Sequence, residues 1–317
     1  QTIKFIMKKR ILITTTSFQD TPGSHHNLLN DQNFEIDYLR GPLEESVLLP
    51  IIHKYDGVIC GDDEYTDKVL SIGKNSKLKV LSKYGVGLDK IDLESAKKLK
   101  IKVTNCPGVN QTSVAEHVLA LLFCFEKNIH LQYNSVQQKS WNRMIGNEIH
   151  GKTIGIIGLG AVGKELTIKS LALGMNVIGY DLIEEKEFTN KLNDFKFVND
   201  IDYLFSNSDI ISLHIPHNKM TDKIINREVI FNKFKKTPIL INTSRGKLID
   251  TNSLIDGLNN DKISGYLSDV LEVEPISIKE PLIGIKNILI TPHVGSRTYQ
   301  SVEKQAIMSI NNLIKSL

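Results

Sequence analysis

The sequence predicts an α/β protein with two doubly wound parallel sheets, and three observations carry this prediction. The chain has 317 residues, about twice the length of a typical domain of roughly 100–200 residues. Short runs rich in β-branched residues alternate with helical segments along the chain, as strands and connecting helices do in parallel sheets. The alternation is interrupted by a polar stretch, residues 132–147. We therefore expect one sheet on each side of it.

Two capping residues and one proline shape the helices predicted in the first half of the chain. Thr66 and Asp92 each stand directly before a helical pattern, where a side-chain oxygen can accept hydrogen bonds from the first free amides. Pro50 is expected to interrupt its helix because proline has no amide hydrogen. The predicted strands are 10–16, 34–39, 57–60, 78–83 and 101–105, and the predicted helices are 43–55, 66–74 and 92–100.

The second half of the chain repeats the alternation. A helix is predicted over residues 113–128, and the polar stretch after it is interpreted as an arm, although it holds Trp141, the only tryptophan. From Lys152 onward the strand-like segments are KTIGIIG, MNVIGYD, DIISLHIP, PILINTS, ISGYLSDV and NILITPH. The predicted helices here include 161–173, 227–234 and 251–259, and an amphipathic helix over 301–317.

Composition excludes several classes of protein. Lys plus Arg number 39 and Asp plus Glu 36, a net charge of +3, which is too balanced for a nucleic-acid or anionic-membrane surface. None of the three cysteines forms a C-x-x-C pair, so we expect no metal site and a reducing, cytoplasmic location. No apolar run reaches the roughly 18 residues of a membrane span. The six residues before Met7 are left out of the fold prediction.

The first motif with chemical content is Gly158-Leu159-Gly160-Ala161-Val162-Gly163, which follows the predicted strand TIGII and opens a predicted helix. Glycines at these positions allow a tight turn and a close approach of the backbone to a pyrophosphate at the helix N-terminus. Asp181 ends the next strand, 18 residues after Gly163. A carboxylate there accepts hydrogen bonds from ribose hydroxyls and repels a 2′-phosphate, so the sequence predicts NAD rather than NADP.

The second signal is a set of three segments that end predicted strands, namely 241–246, 269–275 and 291–296. The carboxyl ends of parallel strands line the ligand crevice, so Arg245, Glu274 and His293 are expected there. Hydride transfer to a 2-oxo acid needs a cation for the substrate carboxylate, and arginine can bind it in a bidentate manner. It also needs a proton donor that titrates near neutrality, such as histidine, and a carboxylate that favours its protonated form.

These residues stand in segments that resemble the D-2-hydroxyacid dehydrogenase family, the group that contains D-3-phosphoglycerate dehydrogenase. The matching segments occur in the family's order over most of the chain: KYGVGLDKID, VTNCPGVNQTSVAEHVLAL, GKTIGIIGLGAVGKEL, INTSRGKLID, SDVLEVEP and TPHVGS. The resemblance implies two lobes of Rossmann or flavodoxin type with a cleft between them. Residues 1–108 and the C-terminal segment 293–317 would form the substrate lobe, and residues 109–292 the NAD lobe.

The resemblance also implies a role for each site residue. Arg245 would bind the substrate carboxylate and polarise the keto group, His293 would be the acid and base, and Glu274 would lie behind it. Asp269 would lie beside the nicotinamide carboxamide. The substrate carboxylate would also meet the backbone of Tyr84, Gly85, Val86 and Gly87. The expected cofactor-binding residues are Gly158, Gly160, Ala161, Val162, Gly163, Asp181, Ile215, Thr243, Ser244, Asp269, Gly295 and Ser296.

Substrate identity is left open by the sequence. Phosphoglycerate enzymes tend to offer basic residues near the loop 61–65, whereas this chain has Asp62, Asp63 and Glu64 there. Runs of charge usually face solvent, so we expect these acids to be solvated, with Lys83 as the best nearby cation. Members of the family dimerise through the NAD lobe and the arm, here residues 133–147, so a homodimer is expected.

The leading functional hypothesis is an NAD-dependent D-2-hydroxyacid dehydrogenase that resembles phosphoglycerate dehydrogenase. Reduction of hydroxypyruvate or glyoxylate is an alternative within the same class. A second alternative is a non-catalytic NAD(H)-sensing interaction protein, because corepressors that resemble this family use the same fold. Arg245, Glu274 and His293 are all present, which favours the enzyme.

Overall fold

The computed structural model describes residues 8–317, so the residues before Met7 lie outside it. The chain forms two compact units. The first consists of the described residues up to Asn110 together with Arg297–Leu317, and the second of Gln111–Ser296. Each unit is built on one parallel sheet, so the prediction of two parallel α/β lobes is confirmed. No helix in residues 8–317 is long and apolar enough to cross a membrane.

Strands and helices alternate through both units. The strands are β1 Lys9–Ile13, β2 Phe34–Tyr38, β3 Gly57–Cys60, β4 Val80–Lys83, β5 Lys102–Thr104, β6 Thr153–Ile157, β7 Asn176–Tyr180, β8 Phe195–Val198, β9 Ile210–Leu213, β10 Ile239–Asn242, β11 Gly265–Ser268 and β12 Ile288–Ile290. The α-helices are α1 Thr16–Asp20, α2 Ser24–Asn30, α3 Glu45–Leu48, α4 Asp67–Ser76, α5 Leu93–Lys98, α6 Gln111–Glu126, α7 Ile129–Gln137, α8 Ala161–Ala172, α9 Lys186–Thr189, α10 Ile201–Asn207, α11 Thr251–Asn259 and α12 Tyr299–Ser316.

The first unit has a five-stranded sheet in the order β2-β1-β3-β4-β5, with every pairing parallel. Its strands are buried on both faces, as β3 and β4 show at each of their positions. One apolar cluster, which includes Val69 and Leu70 of α4, covers one face, and a second, which includes Ile310 and Leu313 of α12, covers the other. Strand order reverses beside β1, so the loops after β1 and β3 flank the switch point, where ligands bind in such sheets.

The second unit has a seven-stranded parallel sheet in the order β12-β11-β10-β9-β6-β7-β8. This order reverses between β6 and β9, which places the loops after these two strands at the switch point. Apolar clusters on the two faces of the sheet include Leu240 and Leu254 on one side and Leu122 and Leu166 on the other. The site residues of this unit follow the carboxyl ends of β6, β7, β9, β10, β11 and β12.

Local predictions succeeded where a side chain caps a helix. Thr66 accepts a hydrogen bond from the amide of Val69 at the start of α4, and Asp92 accepts one from Ser95 at the start of α5. Pro50 does interrupt the helix predicted over 43–55: α3 ends at Leu48, and a separate 3₁₀ turn covers Ile52–Lys54.

Other local predictions were wrong or incomplete. The strand predicted over 10–16 ends at Ile13, because α1 begins at Thr16. Strand β8 was not predicted, and the helix predicted over 227–234 is a π-helical turn, Val229–Lys233. The arm begins as helix α7, although the residues after it, 140–149, do lack regular structure. Short elements carry too few periodic positions for their pattern to be read from sequence.

Candidate active site

The glycine-rich turn after β6 is built so that two of its glycines cannot carry a side chain. Gly158 has a φ of +96°, and a Cβ there would collide with the backbone carbonyl of His214. A Cβ on Gly163 would collide with the carbonyl of Gly158, so the first turn of α8 packs directly on the loop. Gly160 differs, because a Cβ there would meet no atom within 4 Å. The backbone of Gly160 and of Ala161, both exposed, therefore faces open space at the N-terminus of α8.

This turn fits a dinucleotide pyrophosphate. The amides at the N-terminus of α8 carry partial positive charge and have no partner within the helix. Ile215, in the loop after β9, lies against Gly158 at the switch point. The Oγ1 atom of Thr243, in the loop after β10, is buried without a hydrogen-bond partner among the described residues. An unsatisfied buried hydroxyl is costly and calls for a ligand or a water molecule, which agrees with its predicted place in the cofactor site.

Asp181 follows β7 and joins it to the glycine-rich turn. Its Oδ2 accepts a hydrogen bond of 2.7 Å from the amide of Leu159, and its Oδ1 accepts one of 2.6 Å from the amide of Leu182. Each carboxylate oxygen can accept more than one hydrogen bond. Asp181 can therefore bind ribose hydroxyls while it holds the turn in place.

Glu274 and His293 are brought into direct contact. Nδ1 of His293 lies 2.7 Å from Oε2 of Glu274, and the two side chains are about one third exposed. The other carboxylate oxygen of Glu274 accepts a hydrogen bond of 2.9 Å from the amide of Leu271. The carboxylate is thus oriented by its own loop, and it in turn orients the imidazole ring.

Arg245 stands in the loop after β10, in extended backbone conformation. Asn242, the last residue of β10, shapes this loop: its amide group donates to the carbonyl of Arg245 at 2.9 Å and accepts from the amide of Ser244 at 3.0 Å. Ser244 donates to the carbonyl of Leu213 at the end of β9. The guanidinium of Arg245 donates to the carbonyl of Ser244 at 2.7 Å. The loop that carries Arg245 is therefore anchored to two neighbouring strand ends.

Gly246 is a sterically constrained residue of the candidate site that the sequence analysis did not single out. A Cβ at this position would collide with the carbonyl of Leu271 and the amide of Glu272. The loop of Arg245 and the loop of Glu274 therefore meet backbone to backbone at Gly246. The glycine in the segment SRG was a signal for such close approach, but only the folded chain shows what it approaches.

Asp269, at the end of β11, holds the segment around His293. Its Oδ1 accepts hydrogen bonds from Thr291 Oγ1 at 2.6 Å and from the amide of Val294 at 2.9 Å. Its Oδ2 accepts one of 2.7 Å from the amide of Gly295, where any Cβ would lie 2.9 Å from that oxygen. Burial by itself would raise the pKa of Asp269, but these bonds and the nearby imidazole of His117 lower it. Its predicted role beside the nicotinamide stays a prediction, as does that of Ser296, the last residue of this unit.

In the first unit, the loop after β4 offers backbone donors. Gly85 has a φ of +115°. Its carbonyl accepts from the amide of Cys106, and that of Val86 accepts from the side chain of Asn105. The amides of Gly85, Val86 and Gly87 donate to no protein acceptor within residues 8–317, whereas that of Tyr84 donates to Cys60. Successive free amides can donate together to an anion such as a carboxylate.

The acidic run after β3 does not form the solvated face that the sequence suggested. Asp63 is fully buried and accepts hydrogen bonds from Thr14 and from the amides of Leu43 and Gly61. Burial raises the pKa of its carboxyl, although these bonds oppose the shift. The prediction was wrong for Asp63 because its carboxylate accepts hydrogen bonds from the loops that follow β1, β2 and β3 and so holds them together.

Lys83, the last residue of β4, is engaged by the same loop. Its ammonium donates to Asp62 at 2.6 Å and to the carbonyl of Gly61 at 2.7 Å, and its side chain is only 5% exposed. Glu64 pairs with Lys90 at 3.2 Å. The charge of Lys83 is therefore balanced by a neighbouring carboxylate within its own unit.

A nucleotide-binding turn at a sheet switch point, together with an arginine and a Glu–His pair on the following strand ends, is typical of nicotinamide-dependent dehydrogenases. Residues 119–295 match the model of the D-isomer specific 2-hydroxyacid dehydrogenase, NAD binding domain. The chain is 35% identical over 295 residues to a hydroxypyruvate reductase of Thermotoga maritima, which covers 92% of this chain and 93% of the relative. The chain belongs to the family of NAD-dependent D-2-hydroxyacid dehydrogenases, and the resemblance found in its sequence is confirmed.

Two further relatives define the extent of the likeness. A D-3-phosphoglycerate dehydrogenase of Archaeoglobus fulgidus is 34% identical over 276 residues, which is 86% of this chain but 51% of the relative. The chain thus spans about half the length of that enzyme. The crystal structure of a protein from Thermus thermophilus superposes with a TM-score of 0.84 at 30% identity, over 96% of both chains.

Proposed function

We propose that the protein interconverts a D-2-hydroxy acid and its 2-oxo acid, with Arg245, Glu274 and His293 as its catalytic residues. The observation that carries this proposal is the 2.7 Å hydrogen bond between His293 and Glu274, in the same unit as the nucleotide-binding turn and Arg245. A histidine backed by a carboxylate is a proton donor and acceptor suited to neutral pH. A solvated surface histidine, by contrast, can form its hydrogen bonds with water and has no fixed carboxylate beside it.

The residues act in a defined order during reduction. The guanidinium of Arg245 binds the substrate carboxylate and polarises the keto oxygen. The nicotinamide of bound NADH supplies the hydride that adds to the keto carbon. His293 gives its proton to the keto oxygen, so that the 2-hydroxy acid forms and the ring is left neutral. Glu274 stabilises the imidazolium before the transfer, and oxidation follows the same steps in reverse.

The proposed substrate class rests on the cations near the loop after β4, residues 84–87. Phosphorylated 3-carbon acids need a cation for the phosphate. The first unit offers Lys83 next to Tyr84, and it also offers Arg297, which donates to Thr16 and whose charge opposes the raised pKa of Tyr84. The ammonium of Lys83 is buried and already paired with Asp62, so a phosphate there would have to displace a carboxylate. The pairing of Lys83 favours a small, unphosphorylated 2-oxo acid such as hydroxypyruvate or glyoxylate over a phosphorylated one, for which Arg297 would be the alternative cation. Phosphoglycerate oxidation is the second candidate.

A substrate panel tests both statements. The loss of NADH absorbance would be followed with hydroxypyruvate, glyoxylate, pyruvate and 3-phosphohydroxypyruvate, and kcat/KM compared. We expect turnover, with the highest value for an unphosphorylated acid. A clear preference for the phosphorylated acid would reverse the substrate assignment. Tight NADH binding without turnover of any 2-oxo acid would instead favour an NAD(H)-sensing protein.

We also propose that the protein is a homodimer that pairs through the arm, residues 133–147. This segment and the first turn of α7, which runs into it, carry large apolar side chains that are exposed in the single chain: Ile129, Leu131, Tyr133, Val136, Trp141, Met144 and Ile145. Trp141 is 79% exposed and Ile145 is 96% exposed. Large exposed apolar side chains concentrated in one segment are typical of an interface.

The arm is anchored at its C-terminal base, Asn147, by a buried carboxylate. Glu126, at the end of α6, receives hydrogen bonds from Lys152 and Asn147, and the amide of Asn147 donates to its backbone carbonyl. The arm is therefore held on the unit at its base, while its apolar side chains remain available to a second copy.

We propose a reducing compartment, the cytoplasm, for this protein. Cys60, Cys106 and Cys124 are all free thiols, and burial raises the pKa of the Cys106 thiol to about 11. Thiols kept protonated in this way suit a protein that forms no disulfide. Fractionation of the source cells with antibody detection would test the location.

A further inference from the structure

His117 lies outside the predicted catalytic set, yet it reaches the segment that carries His293. It projects from α6, and its Nε2 lies 2.8 Å from Oγ1 of Thr291 and 3.4 Å from Oδ1 of Asp269. The side chain is 19% exposed. Thr291 stands two residues before His293, so α6 contacts the catalytic segment through this histidine.

The direction of the hydrogen bonds follows from the available donors. The hydroxyl of Thr291 has a single hydrogen, which it donates at 2.6 Å to the carboxylate of Asp269. Its oxygen is then the acceptor for His117, which requires Nε2 to carry a hydrogen. The chain of bonds runs from His117 to Thr291 to Asp269, and the same carboxylate receives the amides of Val294 and Gly295.

The segment needs this support because its backbone is strained. His293 has a φ of +53°, in the left-handed region that residues with a side chain rarely adopt. Such conformations are unfavourable and persist only when the surroundings impose them. Residues on both sides of His293 are bound to one carboxylate, and His117 is the side chain that holds Thr291 from the helix side.

We propose that His117 is a positioning residue for the catalytic histidine. Its bond to Thr291 keeps Thr291 and Asp269 in the rotamers that fix the strained backbone, so that the His293 ring meets Glu274 at hydrogen-bond distance. Glutamine can place a donor near the same point, whereas leucine cannot. This inference rests on the proposed function for its kinetic consequence, but its structural consequence is measurable without turnover.

Two variants test the bond. His117→Leu removes the donor at similar size, and His117→Gln retains one. Glu116→Gln, the neighbouring exposed position on α6, whose partner Lys169 lies elsewhere on the unit, is the matched control. The first readout is ¹H–¹⁵N NMR of histidine side chains in the free protein, in which the Nδ1 proton of His293 reports its bond to Glu274. Assignment would use His293→Asn, which removes that signal.

We expect the Nδ1 signal to be present in the parent, in Glu116→Gln and in His117→Gln, and to be lost in His117→Leu. The kcat for reduction should fall roughly ten- to hundredfold in His117→Leu, since a displacement of about 1 Å can cost that much. It should recover to within about threefold of the parent in His117→Gln. Affinity for NADH should stay within about twofold of the parent in every variant.

The result that overturns the proposal is a His117→Leu protein that retains the Nδ1 signal, or a His117→Gln protein that is folded and no better than His117→Leu. If His117→Leu does not fold, Thr291→Val and Thr291→Ser probe the same bond from its other end, with loss expected for valine and retention for serine. Equal signals in those two would also overturn it. If the variants show the predicted NMR changes but the parent turns over no 2-oxo acid, the positioning role stands and the proposed reaction is rejected.

Discussion

Nδ1 of His293 and Oε2 of Glu274 are 2.7 Å apart, although the residues are 19 positions apart in the chain. The contact forms because the loop after β11 and the loop after β12 leave adjacent parallel strands. It commits Nδ1 of the ring to a carboxylate. Nε2 is then the nitrogen that exchanges a proton with the substrate in the proposed reaction.

Replacing Glu274 with Gln should shift the pH dependence of reduction. Reduction requires His293 in its protonated form, and the negative charge of Glu274 stabilises that form. Glutamine retains the shape but not the charge. The decline of activity with rising pH should therefore begin at a lower pH in the variant, and turnover at neutral pH should fall. The pH–rate profile of kcat/KM would be measured for parent and variant. An unchanged profile would show that Glu274 is not the partner of His293 in catalysis.

His293→Ala and Arg245→Lys should separate chemistry from substrate binding. Loss of the general acid should lower kcat by roughly 10²–10⁴, with little change in NADH affinity because the ring acts on the substrate. Lysine cannot make the two parallel contacts of a guanidinium, so Arg245→Lys should mainly raise KM for the 2-oxo acid, by roughly ten- to hundredfold. Steady-state kinetics and NADH titration distinguish the two patterns, and equal effects on KM and kcat in both variants would contradict these roles.

Asp181 should make the enzyme prefer NADH to NADPH. Its carboxylate is suited to ribose hydroxyls and repels a 2′-phosphate. Asp181→Asn removes the charge while an oxygen remains to accept the amide of Leu159, so the glycine-rich turn should persist. We expect the ratio of kcat/KM for NADH over NADPH to fall in the variant, chiefly through better use of NADPH. A parent that prefers NADPH would refute the cofactor assignment.

Trp141 and Ile145 should be required for dimer formation. Replacing both with Gln removes exposed apolar surface from the arm without emptying a core, so the chain should fold but sediment as a monomer at micromolar concentration. Ile168→Gln, on the exposed side of α8, is the matched control and should remain dimeric. Analytical ultracentrifugation measures both, and a monomeric parent would contradict the proposed interface.

Asp250 should contribute acid-sensitive stability near the Arg245 loop. It caps α11 through bonds from Ser253 and pairs with Lys223, and these lower the pKa of its carboxyl to about 2. A lowered pKa adds stability at neutral pH that is lost as the pH falls from about 4 through about 2. Asp250→Asn should therefore cost about 1–2 kcal/mol at pH 7 and little at pH 2. Urea unfolding at several pH values measures this, and a pH-independent difference would contradict it.

The sequence by itself determined the class of fold and the chemical types in the site. Alternating apolar runs and helical segments predict parallel sheets because each strand and helix must bury its own apolar face, a property of local residue order. The glycine-rich motif and Asp181 are equally local, since a turn, a helix start and the next strand lie within about 25 residues. Short elements such as β8 and α1 escaped prediction because their few positions carry no period.

Only the tertiary structure decided which side chains act together. Asp63, in an acidic run, is buried, and Thr14, Leu43 and Gly61 donate hydrogen bonds to its carboxylate. The order of residues in the run does not predict these three bonds. Gly246 and His117 likewise matter through residues more than 20 positions away in the chain. Such contacts depend on the order and register of parallel strands, which hydrophobic periodicity predicts only in part. The hydrogen bonds that hold His293 therefore belong to the assembled sheet rather than to any segment of sequence.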